Sequence, residues 1–157
     1  PAMSLNMVLT TIVGQCIGGQ RPDRARDYLK CALKYGCALL LILSIIIVAF
    51  SKQLSGLFVK SSDVAAIVGV YFLIVGVGYV LNTVTNSFLG VLNGFGKPAK
   101  SMMLMIFYYI VVRMPLAYLL SLLGFGLNGI WVAVLISHIC AAAASTIVST
   151  LQFKMSK

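Results

Sequence analysis

Apolar residues in this chain run in long stretches instead of alternating at the two-residue period of a strand, and breaker clusters separate them. Five such stretches predict five helices, at about 2–18, 34–50, 64–90, 101–123 and 127–151. The first is short, and the second helix is expected to extend back into the basic segment before it. Gly-Phe-Gly-Lys-Pro at 94–98 and Gly-Phe-Gly-Leu-Asn-Gly at 124–129 separate the last three. A helix needs about 20 residues to cross the hydrocarbon core of a bilayer. With no water there, each span must satisfy its backbone internally as a helix. The pattern therefore predicts an all-α integral membrane fold of about five transmembrane helices.

Composition points the same way. The 157 residues are 61% hydrophobic and 10% charged, against about 25% charged in a soluble domain. That is too little charge to cover a surface with solvated groups. The chain opens at Pro1 in an already apolar stretch with no basic n-region, so the stretch is not a secretory signal. Residues upstream are expected to be missing, and 1–157 reads as a single fragment.

The formal charge of +9 changes the picture by its distribution. Arg21, Arg24, Arg26, Lys30 and Lys34 follow the first span, Lys97 and Lys100 follow the third, and Lys154 and Lys157 end the chain. Those nine share one face, whereas the opposite face carries Lys52 and Lys60. Basic residues favour the cytoplasmic side, so the C-terminus is expected in the cytoplasm and Trp131 near the outer interface. No basic stripe with interleaved aromatics lies outside these loops, which argues against nucleic acid as a partner. The cysteines, Cys16, Cys31, Cys37 and Cys140, form no CxxC pair and are far in sequence from His138. Neither a metal site nor a disulfide is expected.

Polar groups inside a span are costly and often functional. Asn82 and Asn86 are four apart and share a helix face with Tyr79 and Gly90. The stripe either lines a polar cavity or bonds to a neighbouring helix. In the first span Asn6 and Thr10 share a face, with Ser4, Thr11 and Gln15 nearby, which places that face toward the bundle interior or a cavity. Arg113 lies just past the middle of the fourth span. No acidic residue falls within a span: Asp23 and Asp27 are in the basic loop, and Asp63 is expected in the outer one. The partner of Arg113 is then a carbonyl, a water-filled cavity or an acid upstream, or else the side chain snorkels to the interface. His138 sits at a similar depth, as a neutral hydrogen-bonding ring or a proton carrier. Gly14, Gly18, Gly69, Gly76, Gly78 and Gly90 serve helix packing or bending. No HExxH, GxSxG, paired carboxylates or phosphate-cradling loop is present, so the chain does not read as an enzyme.

Four runs carry a resemblance. Val13-Gly14-Gln15-Cys16-Ile17-Gly18-Gly19 leads into a basic loop containing Asp23-Arg24-Ala25-Arg26. Gly90-Val91-Leu92-Asn93-Gly94-Phe95-Gly96 ends a helix, and Arg113-Met114-Pro115-Leu116-Ala117 lies within the next. Gly126-Leu127-Asn128-Gly129-Ile130-Trp131 opens the last. In order and spacing these resemble motifs of the multidrug and toxic compound extrusion (MATE) family, in which Gly14, Gln15, Gly18, Gly90, Gly94, Pro115 and Gly129 are motif positions. The resemblance implies helices eight to twelve of a twelve-helix transporter, most of its C-terminal six-helix lobe, in a bacterial-type plasma membrane. It implies export of cationic or amphipathic organic compounds by proton- or sodium-coupled antiport, with alternating access between this lobe and a missing N-terminal one. Asn6, Thr10, Gln15, Tyr79, Asn82, Asn86 and Arg113 are then candidates for the substrate pathway. Some members carry a cation-binding carboxylate in the tenth helix. Asn82 stands at the equivalent position, so the coupling ion is expected outside these residues, and no other cofactor is implied. A lipid-linked oligosaccharide flippase of the same superfamily and a non-transporting membrane scaffold are the alternatives.

Overall fold

The computed structural model describes residues 1–51, 53 and 62–155. Lys52, Lys60 and Lys157, counted above for sidedness, lie outside the described residues. Helix α1 spans Ala2–Gly18, α2 Pro22–Ala49 and α3 Ser62–Gly94. The chain then continues through α4 (Pro98–Ile106), a π-helical stretch π1 (Phe107–Arg113), α5 (Met114–Leu120) and a second one, π2 (Ser121–Phe125). Helix α6 covers Gly126–Met155. The second helix starts at Pro22, extending back through the basic segment as expected, because Pro at a first helical position and Asp23 in the first turn both favour initiation there. The basic segment is thus helical, and Asp63 lies in the first turn of α3 and not in a loop.

Helices α2 and α3 and the run from Pro98 to Met155 each contain an apolar stretch long enough to cross a bilayer, whereas α1, at 17 residues, is shorter. The last run is bent at Gly124 (φ 84°, ψ 8°) and Gly126 (φ 52°). Both sit where a side chain is disfavoured, so the glycines let the run turn back and α4–π2 pack against α6. Leu39, Leu41, Ile42, Leu43, Ile45 and Ile47, spread around the second half of α2, are all exposed. A helix apolar on every side has no aqueous face, as a bilayer requires.

Helix α3 is central, packed on α1, α2 and α6. Its approach to α1 is close: a Cβ at Gly90 would lie 2.6 Å from the Asn6 carbonyl oxygen, and one at Gly94 2.7 Å from Val13 Cβ. Lipid gives helices no hydrophobic reason to associate, so contact of this kind must come from backbone proximity and packing. Leu9, Val13 and Val91 are buried in the seam. Thr10 Oγ1 donates to the carbonyls of Asn6 (2.8 Å) and Gly90 (3.3 Å). At one end of the bundle Arg26 Nη2 donates to the Phe153 carbonyl at 3.3 Å, with its guanidinium 5.1 Å from the Phe153 ring centroid. Lys100 Nζ donates to Gln152 Oε1 at 2.9 Å. The start of α2, the start of α4 and the end of α6 therefore share one end, as the charge pattern groups them.

Candidate functional site

A cavity of about 290 Å³ opens between the middle of α3, π1 and the first half of α6. Its construction begins with Pro115, which cannot donate a backbone hydrogen bond and crowds the turn before it. The stretch just upstream widens into π1, and such widening re-aims side chains, often at functional sites. Tyr109 and Arg113 are carried on it and line the cavity. Twelve residues from the bend at Gly126, at about 1.5 Å per residue, place His138 roughly 18 Å along α6. Arg113 lies at matching depth on the returning rod, because the hairpin brings the two side chains together.

Arg113 reaches across to α6. Its Nε donates to Ser137 Oγ at 2.9 Å, and Nη2 lies 3.3 Å from His138 Nε2. The guanidinium carbon is 4.6 Å from the Tyr109 ring centroid, a cation–π contact. Ser137 passes its own proton to the Val134 carbonyl at 2.7 Å, which leaves its oxygen free to accept from Arg113. Accepting from a guanidinium requires a lone pair on Nε2, so the ring proton of His138 belongs on Nδ1. That Nδ1 is buried with no partner among the described residues. Gly78 faces the ring edge, where a Cβ would lie 3.3 Å from His138 Cδ2.

The polar pair on α3 is joined within its own helix. Asn86 Nδ2 donates to the Asn82 backbone carbonyl (2.9 Å) and to Asn82 Oδ1 (3.0 Å). With its oxygen so engaged, Asn82 lines the cavity, and its amide N–H groups have no acceptor among the described residues. Tyr71 and Trp131 meet edge to face at 5.7 Å between centroids, and with Tyr79 they give the cavity aromatic walls. Among the described residues the one ion pair is Lys30–Asp27, at 3.5 Å on the exposed surface of α2, and no carboxylate pairs with Arg113.

Of the residues singled out in the sequence, Tyr79, Asn82 and Arg113 line this cavity, and Asn86 is tied to it through Asn82. Asn6 and Thr10 lie instead in the α1–α3 seam. Gln15 is exposed and lines a separate groove at the basic end with Arg21, Arg24 and Tyr28. Gly14 is 3.6 Å from the Gly94 carbonyl by its notional Cβ, and Gly18 has nothing within 4 Å. Gly129 packs in the corner after Gly126, against Phe125 and Leu120, and Pro115 is exposed on the rod. Sequence reasoning missed Tyr71, Tyr109 and Ser137. Tyr109 had a signal, lying four residues before Arg113 on the same face; Ser137 had only its place beside His138.

The MatE family model matches residues 1–119. The chain is 31% identical over 145 residues to the probable multidrug resistance protein NorM of Pasteurella multocida, covering 89% of this chain and 31% of that protein. It is 30% identical over 145 residues to the protein of the same name from Mannheimia succiniciproducens, again covering 89% and 31%. The Vibrio cholerae MATE transporter VcmN in its bent form superposes with a TM-score of 0.88 at 17% identity, covering 99% of this chain and 35% of that one. The chain thus spans about a third of the length of the relatives it matches.

Proposed function

Because this chain belongs to the MatE family, we propose that it forms most of the C-terminal lobe of a transporter that exports amphipathic organic compounds. The observation that carries this reading is the cavity itself: aromatic walls from Tyr71, Tyr79 and Trp131 around polar groups from Asn82 and Arg113, between α3, π1 and α6. A pocket that is mostly apolar with a few placed polar groups suits an organic cargo better than a bare ion. Export proceeds by antiport against protons or sodium, with this lobe rocking against a second one so that the cavity faces each side in turn. The end bearing Arg26, Lys100 and Lys154 faces the cytoplasm, where anionic lipid attracts basic side chains.

Dye efflux by cells of a pump-deficient host carrying the full-length gene tests this. Efflux is expected to stop when a protonophore is added or sodium is withdrawn, and whichever treatment stops it names the ion. A well-expressed protein that moves no dye from a broad panel would overturn the export reading in favour of a lipid-linked flippase.

A further inference from the structure

The cavity beside Arg113 is unusual in what it offers a ligand. Arg113 spends Nε on Ser137 and one Nη2 contact on His138, which leaves Nη1 with no acceptor among the described residues. Asn82 gives its oxygen to Asn86 and keeps its N–H groups, which likewise have no acceptor among the described residues. Two sets of donors and one permanent positive charge therefore line the same cavity, and no described carboxylate balances them. A guanidinium is a planar fork matched to a carboxylate or phosphate. Around it stand Tyr71, Tyr79 and Trp131, flat surfaces suited to stacking with a ring. Aromatic walls can also hold a cation, but the Tyr109 face is already occupied by Arg113. A second cation here would meet the fixed guanidinium with no described carboxylate to balance the two charges.

We propose that this cavity is a binding site for an aromatic anion, in which Arg113 and the Asn82 amide take the anionic group and the Tyr71, Tyr79 and Trp131 walls take the ring. Its standing as cargo rests on the transport reading above; binding does not.

Three naphthalene-sized probes separate the contributions: 2-naphthoate, 2-naphthylmethylammonium and the fully saturated counterpart of 2-naphthoate. Binding of each to the purified full-length protein in phosphatidylcholine nanodiscs is measured by equilibrium dialysis, with empty nanodiscs subtracted. The anion is expected to bind at least tenfold more tightly than the cation and several-fold more tightly than the saturated acid. Arg113→Gln should erase the charge preference, and Arg113→Lys should keep it with weaker binding. Equal or tighter binding of the cation by the wild type overturns the proposal without recourse to any variant. So does a preference that survives Arg113→Gln, or the absence of naphthoate binding in a protein that still exports cationic dyes. In that last case the transport reading stands. Naphthoate binding with no energised efflux of any probe leaves the site in place and removes its role as cargo.

Discussion

Arg113 and Ser137 are joined by a 2.9 Å hydrogen bond from guanidinium Nε to hydroxyl oxygen, which ties the widened stretch before Pro115 to the last helix. Ser137 is fully buried. The bond is therefore made in a setting where its loss strands a charged donor.

Replacing that hydroxyl gives the first prediction. Ser137→Ala is expected to cost about 2 kcal/mol, the range for a hydrogen bond to a charged group. Ser145→Ala is the comparison: its equally buried hydroxyl bonds only its own helix, at the Ala142 carbonyl. It should cost less than about 1 kcal/mol, the range for a neutral bond. Thermal melts of the detergent-solubilised protein read both, and equal losses would mean that the Arg113 bond has no special weight.

The α1–α3 seam gives the second. At Gly90 the atom a methyl would meet, 2.6 Å away, is the Asn6 carbonyl oxygen, a backbone atom that cannot rotate aside. Gly90→Ala is expected to destabilise by about 1–3 kcal/mol through overpacking. Gly18→Ala, with nothing within 4 Å, should be neutral or slightly stabilising. Fluorescence-detected size-exclusion melts distinguish the two. A tolerated Gly90→Ala would show that the helices can part without loss.

The membrane fold and the two breaks near residues 94–98 and 124–129 were legible in the sequence, because apolar stretches and Gly/Pro clusters are local signals. The shared face of Asn82 and Asn86 followed from helical spacing alone. Which polar residue enters the cavity did not follow. Asn6 and Asn82 look alike in a span, and only the rotation of α1 against α3 sends the first into a packed seam and the second to a pocket. The partnership of Arg113 with Ser137 depends on how the hairpin closes at Gly124 and Gly126, and a serine in a helix rich in small residues announces nothing. The widening at Phe107–Arg113 had its cause in plain view at Pro115, but proline predicts a disturbed helix without saying which kind.

The hairpin corner supplies a third prediction, in the form of an order. Gly124, at φ 84° and ψ 8°, is close to the left-handed region that Asn tolerates, whereas Gly126, at φ 52° and ψ −135°, is in territory open to glycine alone. Gly124→Asn should therefore cost about 1 kcal/mol or less, and Gly126→Asn about 1–3 kcal/mol. Melting temperatures of the two variants in one detergent check the order, and a reversal would mean that the bend relocates when either glycine is lost.

The last prediction concerns the charge of the cavity. Asn82→Asp keeps an oxygen to accept from Asn86 Nδ2, so the helix face is preserved, while the cavity gains a carboxylate beside the fixed guanidinium of Arg113. The two charges balance, and an anionic ligand loses both its attraction and the Asn82 donors. Naphthoate affinity should fall at least tenfold, about 1.4 kcal/mol, and naphthylmethylammonium affinity should rise. Asn82→Ala removes the donors without adding charge, so it should weaken naphthoate by a smaller factor and leave the cation unchanged. Dialysis against the two probes reads all of these values on one scale. If the Asp and Ala variants behave alike, the charge in the cavity does not select the ligand, and Asn82 acts through shape. If the Asp variant alone turns toward the cation, a single amide-to-acid exchange on α3 decides which sign of charge this cavity admits.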